Sequence, residues 1–228
     1  MNNNEIDFSN DSVWGMILKL APPVMAAQLI QALYNIVDSF FIGKCSEEGL
    51  TALSIVYPLQ LLMIALAVGT GVGINTAMSF HFGMKKEKRA HEVAGVGTPL
   101  AFIMWMLFAV VCYLIMPAYA KISTDSAAVQ DHVVIYGRIV CVFSFGLFFE
   151  SIWTKIVQSK GNMKIPMIAQ IIGAIVNIIL DPILIFGLFG SPALGVTGAA
   201  ISTVAGQIAA AIIVVKNGYY KSPQLRNC

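Results

Sequence analysis

Long apolar runs separated by short polar clusters organise this chain. Runs of about 20 residues or more, enough at ~1.5 Å per residue to cross ~30 Å of hydrocarbon, fall at 13–42, 50–82, 94–116, 129–157, 163–189 and 196–215. They predict six transmembrane helices. Clusters of Gly, Ser, Pro, Asn, Asp and charged residues at 44–49, 83–92, 117–128, 159–164 and 190–195 read as the connections. All are short, so neighbouring helices run antiparallel and residues 13–215 form one unit, an all-α polytopic membrane fold between tails at 1–12 and 216–228. No soluble domain or low-complexity segment is legible.

The polar residues inside these runs are ordered. Asp38 and Asp181 each lie in an apolar stretch with no adjacent cation. A carboxylate at the bilayer centre costs about 2.5–3.5 kcal/mol on insertion scales, so such residues face a cavity and serve a function. In the first span Gln28, Gln31, Asn35 and Asp38 step by three, four and three, which sets them on one helical face. In the fifth span Gln170, Asn177 and Asp181 step by seven and four, again on one stripe. Both spans run in the same direction, so the two carboxylates are expected at similar depth in the outer half, facing one pocket. In the sixth span Thr203 and Gln207 form a further polar pair able to face a cavity.

Pro182 follows Asp181 directly. Proline has no N–H and crowds the preceding turn, so the Ile178 carbonyl loses its helical partner beside the acid and the helix bends there. Two other ionisable residues, Arg138 and Glu150, sit twelve positions apart in the fourth span, about 18 Å along one helix, too far to pair. Arg138 either bridges to another helix or extends toward the outer interface. Glu150 is deep, and a structural hydrogen bond and a proton relay are both open to it. Gly198, Ser202, Gly206 and Ala210 recur every fourth residue in the sixth span, as do Gly69 and Gly73 in the second, which predicts close helix packing rather than a site.

Composition agrees with a membrane protein: of 228 residues 57% are hydrophobic and 11% charged, with mean hydropathy +0.78. A net charge of +2 without a clustered basic face excludes nucleic acid as a partner. Residues 1–12 carry Glu5, Asp7 and Asp11 and no basic residue, unlike a cleaved signal peptide. Lys85, Lys86, Lys88, Arg89, Lys155, Lys160, Lys164, Lys216, Lys221 and Arg226 lie at one face, against Lys44 and Lys121 at the other. The positive-inside rule then places both termini in the cytoplasm and makes 85–89 a topology signal. Cys45, Cys112, Cys141 and Cys228 form no CxxC pair and are expected as free thiols. His81, His91 and His132 fall at helix ends or in loops on different faces, a poor basis for a membrane enzyme.

These residues carry a family resemblance. Pro23, Gln28, Tyr34, Val37-Asp38 and Phe41-Ile42-Gly43, the Gly-rich second span ending in Phe82-Gly83-Met84-Lys85, then Gly161-Asn162, Pro166, Asn177, Asp181-Pro182 and Gly195-Val196-Thr197-Gly198-Ala199-Ala200 together resemble the multidrug and toxic compound extrusion family. The match runs in order over nearly the whole chain.

The resemblance implies a secondary antiporter of the cell membrane that exports cationic or amphipathic compounds, driven by inward H+ or Na+ flow. It implies alternating access between two six-helix lobes, of which this chain is the N-terminal one. Asp38, Asn177 and Asp181 stand at the positions of that family's N-lobe cation site, for a proton or for Na+ held by their oxygens. Gln28, Gln31, Asn35, Gln170, Thr203 and Gln207 then line the substrate cavity, and Pro23 and Pro182 are the hinges. No cofactor is implied beyond the coupling ion. The partners are a small cationic or amphipathic substrate, the lipid bilayer and a second lobe. That lobe is either the C-terminal half, with residues 216–228 the start of a truncated interlobe linker, or a second copy, since six spans insert a copy in parallel. The alternatives are a related flippase for lipid-linked saccharides and a truncated half that does not transport.

Overall fold

A computed structural model of the protein describes residues 13–220, which are helical with no strand. The helices are α1 (Val13–Cys45), α2 (Glu47–Gly83), α3 (Glu87–Ser123), α4 (Ala127–Val142), α5 (Phe145–Gln158), α6 (Lys164–Phe186) and α7 (Val196–Tyr220), with a 3-10 turn at Leu188–Gly190. Five of them are long and apolar enough to span a membrane; α4 and α5, bent by 41° across a short break, together make a sixth span. The tails at 1–12 and 221–228, and with them Cys228, lie outside the described residues. α7 continues through 216–220, past the expected boundary at 215.

The helices are longer than the apolar runs. α2 and α3 each have 37 residues, about 55 Å, so their ends project beyond the hydrocarbon. The predicted loop at 44–49 shrinks to Ser46, whose side chain caps α2 by accepting from Gly49 N (3.0 Å). The predicted 163–189 span ends three residues early at Phe186, where Gly187 takes the left-handed conformation (φ 74°) and closes α6.

The fourth span is not the single helix expected over 129–157. Its ladder is interrupted at Phe143 and Ser144. Ser144 Oγ donates to Cys141 O (2.6 Å) and Trp105 Nε1 donates to Val142 O (2.9 Å), so carbonyls freed by the bend are bonded rather than left bare in an apolar medium. The bend brings Gly146 against the α7 backbone: a β-carbon there would lie 2.9 Å from Ile208 N.

Packing divides into two apolar clusters. One is built around Met63, Phe108, Met116, Tyr136, Phe148 and Ile185; the other joins Met78, Ile152, Trp153, Ile156, Ala169 and Val214. Small residues let α6 and α7 touch as predicted: a β-carbon on Gly206 would stand 2.7 Å from Gly173 O, and one on Gly198 2.5 Å from Leu184 O. The same reading fails for Gly69 and Gly73, which have nothing within 4 Å. Gly71, between them, is the buried one, set against Ser151 and Lys155 of α5. A four-residue spacing marks a face without saying which face meets a neighbour.

Cys45 is exposed, and Cys112 and Cys141 are buried; all three are free thiols. α1 contributes little to either cluster. It lies mainly on α6 and leaves Leu29, Leu33, Ile36 and Phe40 half-exposed or more.

Candidate functional site

α1 forms one wall of a cavity of about 440 Å3, the size range of ligand pockets. Gln28, Gln31, Asn35 and Asp38 all line it, as their helical spacing predicts. Across the cavity stand Tyr57 and Gln60 of α2, Tyr136 of α4, Glu150, Thr154 and Lys155 of α5, Gln170 of α6, and Thr203 and Gln207 of α7. Pro23 lines it as well, and α1 remains one helix through Pro22 and Pro23. Pro182 lies within α6 and does not border the cavity.

Asp38 is 6% exposed, and its Oδ1 has no hydrogen-bond partner among the described residues. A buried carboxylate oxygen left unpaired is costly, and a bound proton or metal cation is the kind of group that satisfies it.

Asp181 is placed differently from the sequence expectation. It is fully buried and borders neither this cavity nor the smaller chamber beside it. Ser202 Oγ of α7 donates to its Oδ1. With the Asn177 amide oriented to satisfy both of its ends, Nδ2 donates to Asp181 Oδ2 (3.3 Å) and Oδ1 accepts from Thr203 N (3.2 Å). The expected pair of acids facing one pocket is therefore a surface acid, Asp38, backed by a sealed acid, Asp181. α7 makes the difference: its small residues bring it close enough to α6 to cover the Asp181 end of the polar stripe and leave Gln170 open.

Asn177 borders a smaller chamber of about 70 Å3 beside the main cavity, walled by Gln31, Tyr34, Glu150, Gln170, Thr203 and Gln207 among others. Thr203 Oγ1 lies 3.5 Å from the Asn177 amide. Glu150, of open role in the sequence, accepts from Thr154 Oγ1 (2.9 Å) and borders both spaces. Arg138 is far from either; its guanidinium sits over the Tyr113 ring, 4.4 Å from the centroid, so the contact to another helix is a cation–π one rather than a salt bridge.

Sequence reasoning missed several lining residues. Gln60, which donates to Tyr136 OH (3.3 Å), is an amide inside an apolar run and could have been read by the rule applied to Gln28. Lys155 was counted only as a topology signal; its ammonium donates to Gln158 Oε1 (3.1 Å) at the cavity wall. Ser202 was read as a packing residue. His81, His91 and His132 border neither space.

A six-span helical membrane lobe with a polar cavity behind its first helix is thus defined. The MatE family profile matches residues 23–183, and the chain belongs to that family. It is 26% identical to YoeA of Bacillus subtilis, named a probable multidrug resistance protein, over 91% of this chain and 45% of that protein. It is also 26% identical to a protein of Shewanella oneidensis named FAD transporter, over 83% of this chain and 42% of that one. Among solved structures, a multidrug resistance MATE family transporter in its outward-facing conformation superposes with a TM-score of 0.83 at 25% identity, over 90% of this chain and 44% of that one. The chain spans less than half the length of these relatives.

Proposed function

We propose that this lobe belongs to a secondary antiporter that moves a cationic or amphipathic compound out of the cell in exchange for H+ or Na+. The observation that carries this is Asp38: a buried carboxylate with an unpartnered oxygen, on the wall of a cavity large enough for a small organic cation. Names of relatives that speak of multidrug resistance support the class of cargo, and the Shewanella name shows that cargo varies among them.

The exchange rests on competition for one negative charge. With Asp38 ionised, the cavity holds an organic cation. When a proton binds its oxygen, or Na+ binds between Asp38 and the neighbouring oxygens of the Asn177–Asp181 group, that charge is neutralised and the cargo leaves. Asp181, held by Ser202 and Asn177, stands behind the site as a buried acid. Gln28, Gln31, Asn35, Gln170, Thr203 and Gln207 give the cargo its polar contacts, and Pro23 and Pro182 are where the two helices flex. A second lobe, the C-terminal half or another copy, closes the open α1 side. The lobe sits in the cell membrane with both ends of the span array on the cytoplasmic side, a reading that the Lys and Arg distribution supports.

Binding of a fluorescent organic cation to the purified chain, titrated against H+ and Na+, tests this reading. Affinity is expected to fall as either ion rises and to become insensitive to both in Asp38→Asn. Binding that ignores both ions in the unaltered chain overturns it.

A further inference from the structure

The small chamber beside the main cavity is lined by a carboxylate and two side-chain carbonyl oxygens that lack a donor. Gln170 Oε1 is buried without a partner among the described residues, and Gln207 Oε1 is buried and unpartnered in the same way. The third acceptor is the Glu150 carboxylate, whose Oε1 accepts from Thr154 Oγ1. All three side chains line the same 70 Å3 space. Glu150 forms no salt bridge with a described residue, and the cation on its own helix, Lys155, is bonded to Gln158.

A carboxylate with two orphaned carbonyl oxygens around a pocket of this size suits a compact cation bearing several N–H donors, whose charge holds the carboxylate ionised. Water shares about 30 Å3 each in the liquid, so the chamber has room for a group the size of a few waters and not for a bulky alkylated head. A protonated primary amine brings three N–H donors, one for each acceptor. A quaternary ammonium brings the same charge, more bulk and no donor. We propose that this chamber is a head-group subsite for primary ammonium cargo, with Glu150 as counter-ion and Gln170 and Gln207 as the residues that reject alkylated amines. This deepens the antiport reading by assigning the part of the cargo that the lobe recognises. Asp38 stays the ion-exchanging acid, and Glu150 is a specificity residue that touches the substrate. A site built to bond a donor discriminates strongly against an analogue lacking it, because its buried acceptors are then left unpaired.

The test compares two probes sharing one fluorophore and linker, a dansyl alkylamine and its trimethylammonium analogue, bound at constant pH to the purified 228-residue chain in lipid nanodiscs. The unaltered chain is expected to bind the primary amine about tenfold tighter or more. Glu150→Gln is expected to erase that preference, and Gln207→Leu to reduce it severalfold. Equal affinities in the unaltered chain overturn the subsite, as does a preference that survives Glu150→Gln. Should Glu150→Gln fail to yield monodisperse protein, Gln207→Leu decides alone: an undiminished preference overturns the proposal. The outcome separates from the antiport reading, because the probe preference needs no ion gradient. A preference for the primary amine without ion competition at Asp38 keeps the subsite and sinks the antiporter; ion competition without the preference does the reverse.

Discussion

The hydroxyl of Ser202 on α7 donates to the carboxylate of Asp181 on α6, and both residues are fully buried. This bond, with the Asn177 amide on the other oxygen, turns one of two intramembrane acids into a buried anchor and leaves Asp38 as the acid on the cavity wall.

Ser202→Ala removes the donor and leaves a buried acceptor unpaired. Interhelical hydrogen bonds in membranes contribute about 0.6–2 kcal/mol, and a carboxylate places this one toward the upper end. Thermal unfolding in detergent is expected to shift down accordingly; unaltered stability contradicts the anchoring role.

Trp105→Phe keeps the ring beside Phe102 and Phe145 but deletes the N–H that holds Val142 O at the bend between α4 and α5. A loss of about 1 kcal/mol is expected from the missing bond. Chemical denaturation measures it, and Trp105→Leu, which also deletes ring packing, is expected to lose more.

Glycine substitutions separate real helix contacts from apparent ones. Gly206→Ala forces α7 away from Gly173 O and is expected to cost about 1–3 kcal/mol, whereas Gly69→Ala and Gly73→Ala meet open space and are expected to be neutral or slightly stabilising by helix propensity. Melting temperatures of the three variants in one detergent settle the ranking. Equal effects at Gly206 and Gly69 contradict the packing described here.

In proteoliposomes, efflux of an organic cation driven by an imposed pH or Na+ gradient is expected to need Asp38. Asp38→Asn is expected to lower the initial rate by roughly tenfold or more, the size of effect seen when one essential interaction is removed. Tyr57→Phe, across the cavity from Asp38, is expected to leave the coupling intact. Transport by the chain alone further requires that it pair with a second copy, which cross-linking in the same vesicles reports.

The sequence announced the site more clearly than its arrangement. The Gln28–Asp38 stripe was legible because four polar residues at helical spacing in an apolar run have one physical reading, and all four border the cavity. The stripe on α6 was legible as a face, but its division between open Gln170 and sealed Asp181 depends on how closely α7 approaches, a tertiary fact. Ser202 was hidden because a small residue in a four-residue repeat looks the same whether it packs or donates. Glu150 stayed ambiguous because the break at Phe143–Ser144 resets the helical phase, so counting from Arg138 does not tell which side it faces. That break has no proline signal; the Ser144 and Trp105 side chains that hold it are recognisable only once α3 and α4 are side by side. The helix ends overran the apolar runs because hydropathy marks where lipid begins, not where a helix stops.

The central claim is that an organic cation and the coupling ion compete for Asp38. Adding the cation to the purified chain in weakly buffered, Na+-controlled solution and counting the ion set free tests it most directly. Release of protons or Na+ in proportion to cation bound is expected from the unaltered chain, with none from Asp38→Asn. Cation binding that frees neither ion, or release undiminished in Asp38→Asn, contradicts the claim.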